Sequence, residues 1–178
     1  MQKNKISIAL QTLNFLEKSS WTQLKLTNIK IDKRNNDFIK KNDLIINLNR
    51  YFDYLLKRDL NNIEESSSKD MLFEIFMARL DILNRHRKSI KNLIKYFSSN
   101  PQVFIKLTPS FIESIIIMTT MANLNVNGIK GIPKIKAIFI LYILIIYTWN
   151  SDETSSLEKT MTVLDKYLTN INKIIKFF

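Results

Sequence analysis

Pro133-Lys134-Ile135-Lys136-Ala137-Ile138-Phe139-Ile140-Leu141-Tyr142-Ile143-Leu144-Ile145-Ile146-Tyr147-Thr148-Trp149 is followed at once by the polar stretch Asn150-Ser151-Asp152-Glu153-Thr154-Ser155-Ser156. Proline is suited to a first helical turn, and the residues after it are apolar on nearly every side, so the segment reads as a buried helix that needs cover on two fronts. Beyond the hinge, Ser155 and Glu158 stand at the spacing of a capping box, which predicts the start of another helix. Thr160, Met161, Leu164, Asp165 and Leu168 then place the apolar groups of that helix at helical intervals. Two such helices joined by a tight turn require a covering surface, supplied either by their own chain or by a second copy.

Working outward, the rest of the chain has the same character. A length of 178 residues allows one compact core or a small head on a larger body, and only 2 Gly and 3 Pro with no alternating polar and apolar segments point to an all-α fold. Ile6, Ala9, Leu10, Leu13 and Leu16 mark one face of a first helix that ends near Ser19-Ser20. Trp21, Leu24, Leu26 and Ile29 form a short apolar set, and the charged run from Ile31 to Lys41 reads as a loop or a single turn. Leu44, Ile45, Leu48, Phe52, Leu55 and Leu56 give the stripe of a longer helix. Asn61 to Lys69 is polar apart from Ile63 and is the expected boundary, dividing a domain over 1–60 from one over 61–178.

In the second domain, Ser67 and Asp70 predict a helix start, with Leu72, Ile75, Phe76, Leu80 and Leu83 facing inward and Asp81 supporting Arg85 four residues on. Asn100-Pro101 and Thr108-Pro109 each set a capping side chain before a proline, which predicts two short helices, the second ending before the Gly128 to Gly131 turn.

Composition excludes several chemistries. With no cysteine there is no disulfide, thiolate metal site or Cys nucleophile. His86 is the only histidine, and its neighbours Arg85 and Arg87 oppose the protonation that a general base must accept. We therefore expect no catalytic residue, no metal and no cofactor, and hence no enzyme. The basic start Met1 to Lys5 is followed by an interrupted apolar stretch unlike a signal peptide, and Ala137 to Trp149 falls short of the roughly 20 residues that cross a bilayer, so a cytoplasmic location is expected. A net charge of +11 suits an anionic partner, either nucleic acid or an acidic membrane surface. The closing Lys173-Ile174-Ile175-Lys176-Phe177-Phe178 suits either packing against the body or weak peripheral membrane contact.

From Met71 onward the chain resembles the regulatory half of an alphaproteobacterial branch of the TetR family of transcriptional regulators. The residues that carry the likeness are Leu72-Phe73-Glu74, Met77-Ala78-Arg79, Asp81, His86-Arg87, Ile90, Pro101, Gly128, Gly131, Trp149, Asp152, Thr160-Met161 and Leu164-Asp165. The hinge pattern is also similar to that of the lipid-binding protein family of ubiquinone biosynthesis, which shares the fold. The resemblance implies a small helix-turn-helix-like head on a larger helical C-terminal domain, with a homodimer closed by a four-helix bundle. Its interface would use Ile138, Leu141, Tyr142, Ile145, Trp149, Met161, Leu164 and Leu168. In the head, Ile29 and Lys41-Asn42-Asp43-Leu44 match, whereas the segment between them is shortened, lacks Gly and keeps only Phe38 of the expected aromatic character. Lys25, Lys30, Lys33, Arg34, Lys40 and Lys41 remain to meet DNA phosphates.

Phe73, Phe76, Met77 and Leu80, with Phe104, Phe111, Met118 and Met121, are the expected walls of a pocket for an apolar small molecule or lipid, because Met and aromatic side chains repack around irregular apolar shapes. Two functions follow from the resemblance. One is a ligand-responsive regulator with a reduced DNA-reading head. The other is a non-enzymatic lipid- or isoprenoid-binding accessory protein of ubiquinone biosynthesis.

Overall fold

Apolar stripes at helical spacing leave each segment one face to bury, and the described residues answer with helices and turns. A computed structural model describes residues 1–31, 40–60 and 66–175, the last five of these by backbone only, and among them there are helices and turns and no strand. The helices are α1 (Lys3–Lys18), α2 (Asp43–Asp59), α3 (Ser68–Asn84), α4 (Arg87–Ser99), α5 (Pro101–Met121), α6 (Gly131–Ser151) and α7 (Glu158–Ile175), with single 3-10 turns at Trp21–Gln23 and Leu26–Asn28.

The chain forms two compact units. The first comprises Met1–Asp59 and Ile82–Phe111, and the second Leu60–Asp81 and Ile112–Phe178. The chain thus leaves the first unit at Asp59, near the expected boundary, and returns to it at Ile82. In the first unit α1 packs on α2 and α4, burying Ile8, Leu13 and Leu16 with Leu44, Leu48 and Leu56. Short polar side chains tie these helices by reaching backbone carbonyls of a neighbour. Ser89 Oγ donates to Leu13 O at 2.8 Å, Asn92 Nδ2 to Leu16 O at 2.6 Å and Asn47 Nδ2 to Lys5 O at 2.9 Å. Such bonds satisfy groups whose burial without partners would be costly.

In the second unit α6 packs on α7, with Leu72, Ile75, Phe76 and Leu80 from α3 and Ile115 and Met118 from α5 completing its buried set. Phe76 meets Tyr142 at 5.8 Å between ring centres, and Lys69 pairs with Asp165 at 2.9 Å. Ser67 caps α3 as its position suggests, accepting from the Asp70 amide at 3.2 Å.

Several local expectations are corrected. No helix begins at Pro109, which lies inside the continuous α5. Proline there removes only the donor to Ile105 O, and Ile105 is exposed, so water can replace the missing bond. Thr108 does not cap a new helix; its hydroxyl donates back to Phe104 O at 3.2 Å. Arg85 pairs with Asp59 at 3.2 Å rather than lending support to Asp81. Helix α4 has no counterpart among the expected elements, although Ile90 and Leu93, buried on one side, stand at helical spacing. Finally, α6 spans 21 residues, and both it and α5 are long and apolar enough to cross a membrane by length and composition.

Candidate functional site

In the first unit, two connected side-chain clusters stand out. Trp21, 1% exposed, lies beneath Lys41, whose ammonium sits 4.9 Å from the centre of the indole ring. Lys41 Nζ also donates to the carbonyls of Trp21 and Thr22, and burial lowers its pKa. This lysine fastens the start of α2 to the turn at Trp21–Gln23. Lys25, Lys30 and Lys40 are exposed. Lys33 and Arg34, like Phe38, lie outside the described residues.

From Trp21 the aromatic contacts continue to Tyr96 at 5.9 Å and from Tyr96 to Phe97 at 6.0 Å. Phe97 meets Phe104 at 5.6 Å and Phe111 at 6.1 Å, both edge-on, while Phe104 and Phe111 stack at 5.4 Å. The pair on α5 is seven residues apart, two helical turns, which sets both rings on one side of the helix. Phe97, Phe104 and Phe111 are each half-buried, so part of every ring is open. Spacing along one helix pairs Phe104 with Phe111, whereas Phe97 and Tyr96 stand on α4, for which the sequence offers no capping cue, and join them only through packing.

The other expected pocket residues belong to the second unit. Phe76, Leu80 and Met118 are core there with no exposure, whereas Phe73, Met77 and Met121 are half-buried. A separate cleft of about 540 Å³ opens in the first unit, lined by Met1, Gln2, Lys5, Asp43, Ile46, Asn47 and Arg50. It shares none of the expected residues, and its lining is mixed in polarity.

The hinge between α6 and α7 is built on Asp152, which is 2% exposed. Its carboxylate accepts from the amide and hydroxyl of Thr154 at 3.1 and 2.6 Å and from those of Thr160 at 2.8 and 2.7 Å. Burial pushes its pKa upward, but these four bonds outweigh burial and hold the carboxyl far below the usual range. Helix α7 is therefore capped by Asp152 and Thr154, whose hydroxyl accepts from the Glu158 amide at 3.0 Å, in place of the expected Ser155–Glu158 box. Leu157, buried with a φ of 56°, turns the chain into the helix two residues later than that box requires.

The expected dimer-face residues are mostly turned inward. Ile138, Leu141, Tyr142, Ile145, Trp149, Leu164 and Leu168 are all buried within the single chain, and of the set only Met161, 40% exposed, faces outward. A helix that is apolar all round has two faces to cover, and the expected residues occupy the inner one. On the outer face of α6 stand Ile132, Ile140, Leu144 and Tyr147, exposed by 52, 61, 41 and 75%.

His86 precedes α4 and packs on Phe52 at 6.3 Å. Burial lowers its pKa, with Arg85 adding to the shift and Glu17 opposing it, so its surroundings favour the neutral ring chiefly through desolvation. Among the described residues no group of His, Asp or Glu has the arrangement of a metal site. Compared with known proteins, the chain matches no family model and no curated protein.

Proposed function

We propose that this chain is a non-enzymatic binding protein on a TetR-like helical fold, holding an apolar, isoprenoid- or lipid-like molecule against Phe97, Phe104 and Phe111. The observation that carries this reading is the half-buried state of three mutually touching rings. Rings needed only for packing gain most by full burial, whereas rings held by one another with part of each surface open offer a rigid apolar platform. The accessory role is favoured over DNA reading because the described residues between α1 and α2 form only single 3-10 turns, while base readout needs a longer helix held in the major groove. Lys41, one of six cations expected to meet phosphate, is engaged with Trp21 instead.

Mass spectrometry of organic extracts of the purified full chain tests the reading. An apolar molecule recovered from the native chain and lost from Phe104→Ala/Phe111→Ala, with helicity unchanged, supports it. Equal recovery from both, or none across repeated preparations, rejects this site.

The regulator reading keeps one specific support, the exposed Lys25, Lys30 and Lys40 flanking the head. Gel-shift titration against genomic fragments at two salt concentrations separates the two. Uniform weak binding that disappears with salt fits the accessory protein, and a preference of about a hundredfold for one fragment would restore the regulator.

A further inference from the structure

Among the described residues, nothing covers the outward face of α6 and the turn before it. Ile129 is 88% exposed, Ile132 52%, Ile140 61%, Leu144 41% and Tyr147 75%. From Ile132 the face advances in fourths through Lys136, Ile140 and Leu144, which keeps it on one side of the helix, while Ile138, Leu141, Ile145 and Trp149 fill the opposite, buried side. Lys130 and Lys136 stand exposed at its N-terminal end, and no carboxylate occurs anywhere from Ser114 through Ser151.

The projecting turn is held in shape by close backbone contact. A Cβ on Gly131 would stand 1.6 Å from Val126 O, so only glycine lets the start of α6 lie against the preceding strand of chain. Gly128 supplies a φ of 69°, and Lys134 Nζ reaches Asn125 O at 3.5 Å. Ile129 and Ile132 are therefore presented by a fixed turn.

We propose that this face docks on an anionic lipid surface, with α6 lying in the plane of the interface, Ile129, Ile132, Ile140 and Leu144 entering the acyl boundary and Lys130 and Lys136 meeting acidic headgroups. Tyr147, at the other end, has the ring-and-hydroxyl character that suits the same depth. The charge pattern selects this occupant. Apolar side chains standing among lysines match a surface that is apolar below and negative above. A second copy of the chain would bring the same lysines and no carboxylate from this segment to answer them, and a nucleic acid would leave the isoleucines unused.

Flotation of the full chain with vesicles of pure phosphatidylcholine and with vesicles containing about 30% phosphatidylglycerol tests this. Binding to the anionic vesicles should exceed binding to the neutral ones by roughly tenfold and fall as salt is raised. Ile129→Glu/Ile132→Glu should reduce it by roughly tenfold with unchanged circular dichroism, since both positions are exposed. Gly131→Ala, which disturbs the turn while leaving every charge in place, should weaken it as well. Equal binding to both vesicle types, or undiminished binding by the isoleucine variant, overturns the proposal. So does a dimer that dissociates on Ile140→Glu/Leu144→Glu in a chain that binds no vesicles, which would assign the face to a second copy.

Discussion

Asp152 Oδ2 accepts two hydrogen bonds from Thr160, one from the amide at 2.8 Å and one from the hydroxyl at 2.7 Å, and so joins the end of α6 to the first turn of α7. Both donors are backed by burial, since Thr160 has no exposure and Asp152 only 2%. Asp152→Asn keeps the shape but replaces one acceptor oxygen with an NH2 that faces donors, and it should destabilise the protein by about 1–3 kcal/mol in urea titration. The acid limb should change too. Because the folded-state pKa lies below the ordinary 3.8, the ionised carboxylate contributes stability that is fully present above about pH 4 and is lost as pH falls below it. The Asn variant should show a shallower loss over that range, and an unaltered acid limb would remove Asp152 from this role.

His86 shifts in the same direction for a different reason. Its pKa is lowered from 6.5 by burial above all, so the unfolded chain binds a proton more readily than the folded one. Stability tied to His86 is present above about pH 6.5 and is lost as pH falls through the lower folded value. In His86→Gln the stability measured by denaturation between about pH 5 and 7 should be flatter than in the native chain. A variant curve parallel to the native one would show that the ring titrates alike in both states.

The helical class was legible because stripes such as Leu44, Leu48, Phe52 and Leu55–Leu56 repeat at the helical period, and the structure buries every one of them. Periodicity gives the existence of a buried face but not its neighbour, which is why Ile138 and Trp149 could be assigned to a second copy when they belong to the chain's own core. Capping was harder to read, since Ser155–Glu158 and Asp152–Thr154 are both plausible pairs in sequence and only the turn at Leu157 decides between them. At Pro109 the cue was real but outweighed, because one missing donor at an exposed turn costs less than breaking the apolar run that continues through Ile112 and Ile115. The aromatic cluster was half visible. Phe104 and Phe111 are on one helix and could be paired by spacing, whereas Phe97 joins them only through tertiary packing.

Leu164 and Met161 separate core from surface on α7. Leu164 has no exposure and Met161 is 40% exposed. Leu164→Ala should cost about 2–5 kcal/mol, the range for emptying a buried leucine site. Met161→Ala should stay within about 0.5 kcal/mol of the native chain, as surface changes usually do. Chemical denaturation at several protein concentrations checks the assignment. A loss in Leu164→Ala that is the same at every concentration places the side chain in its own chain's core, and a loss that grows with dilution would place it between two copies.

Lys41 and Lys40 are adjacent in sequence but have different surroundings. Lys41 is half-buried with its ammonium over Trp21 and against two carbonyls, while Lys40 is exposed. Lys41→Met keeps the aliphatic stem and removes the charge, so it leaves the carbonyls of Trp21 and Thr22 without this donor and should cost about 1–3 kcal/mol. Lys40→Met should leave stability within about 0.5 kcal/mol of native. The order reverses for polyanion binding. If the head touches phosphates, losing Lys40 should lower the slope of log affinity against log salt by about 1, while losing Lys41 should leave that slope unchanged wherever the variant remains folded. Titration of a duplex at four salt concentrations, run beside thermal melts of both variants, measures the two effects on the same preparations. A salt slope that drops in Lys41→Met, with its melting temperature intact, would return this ammonium to the surface that meets phosphate.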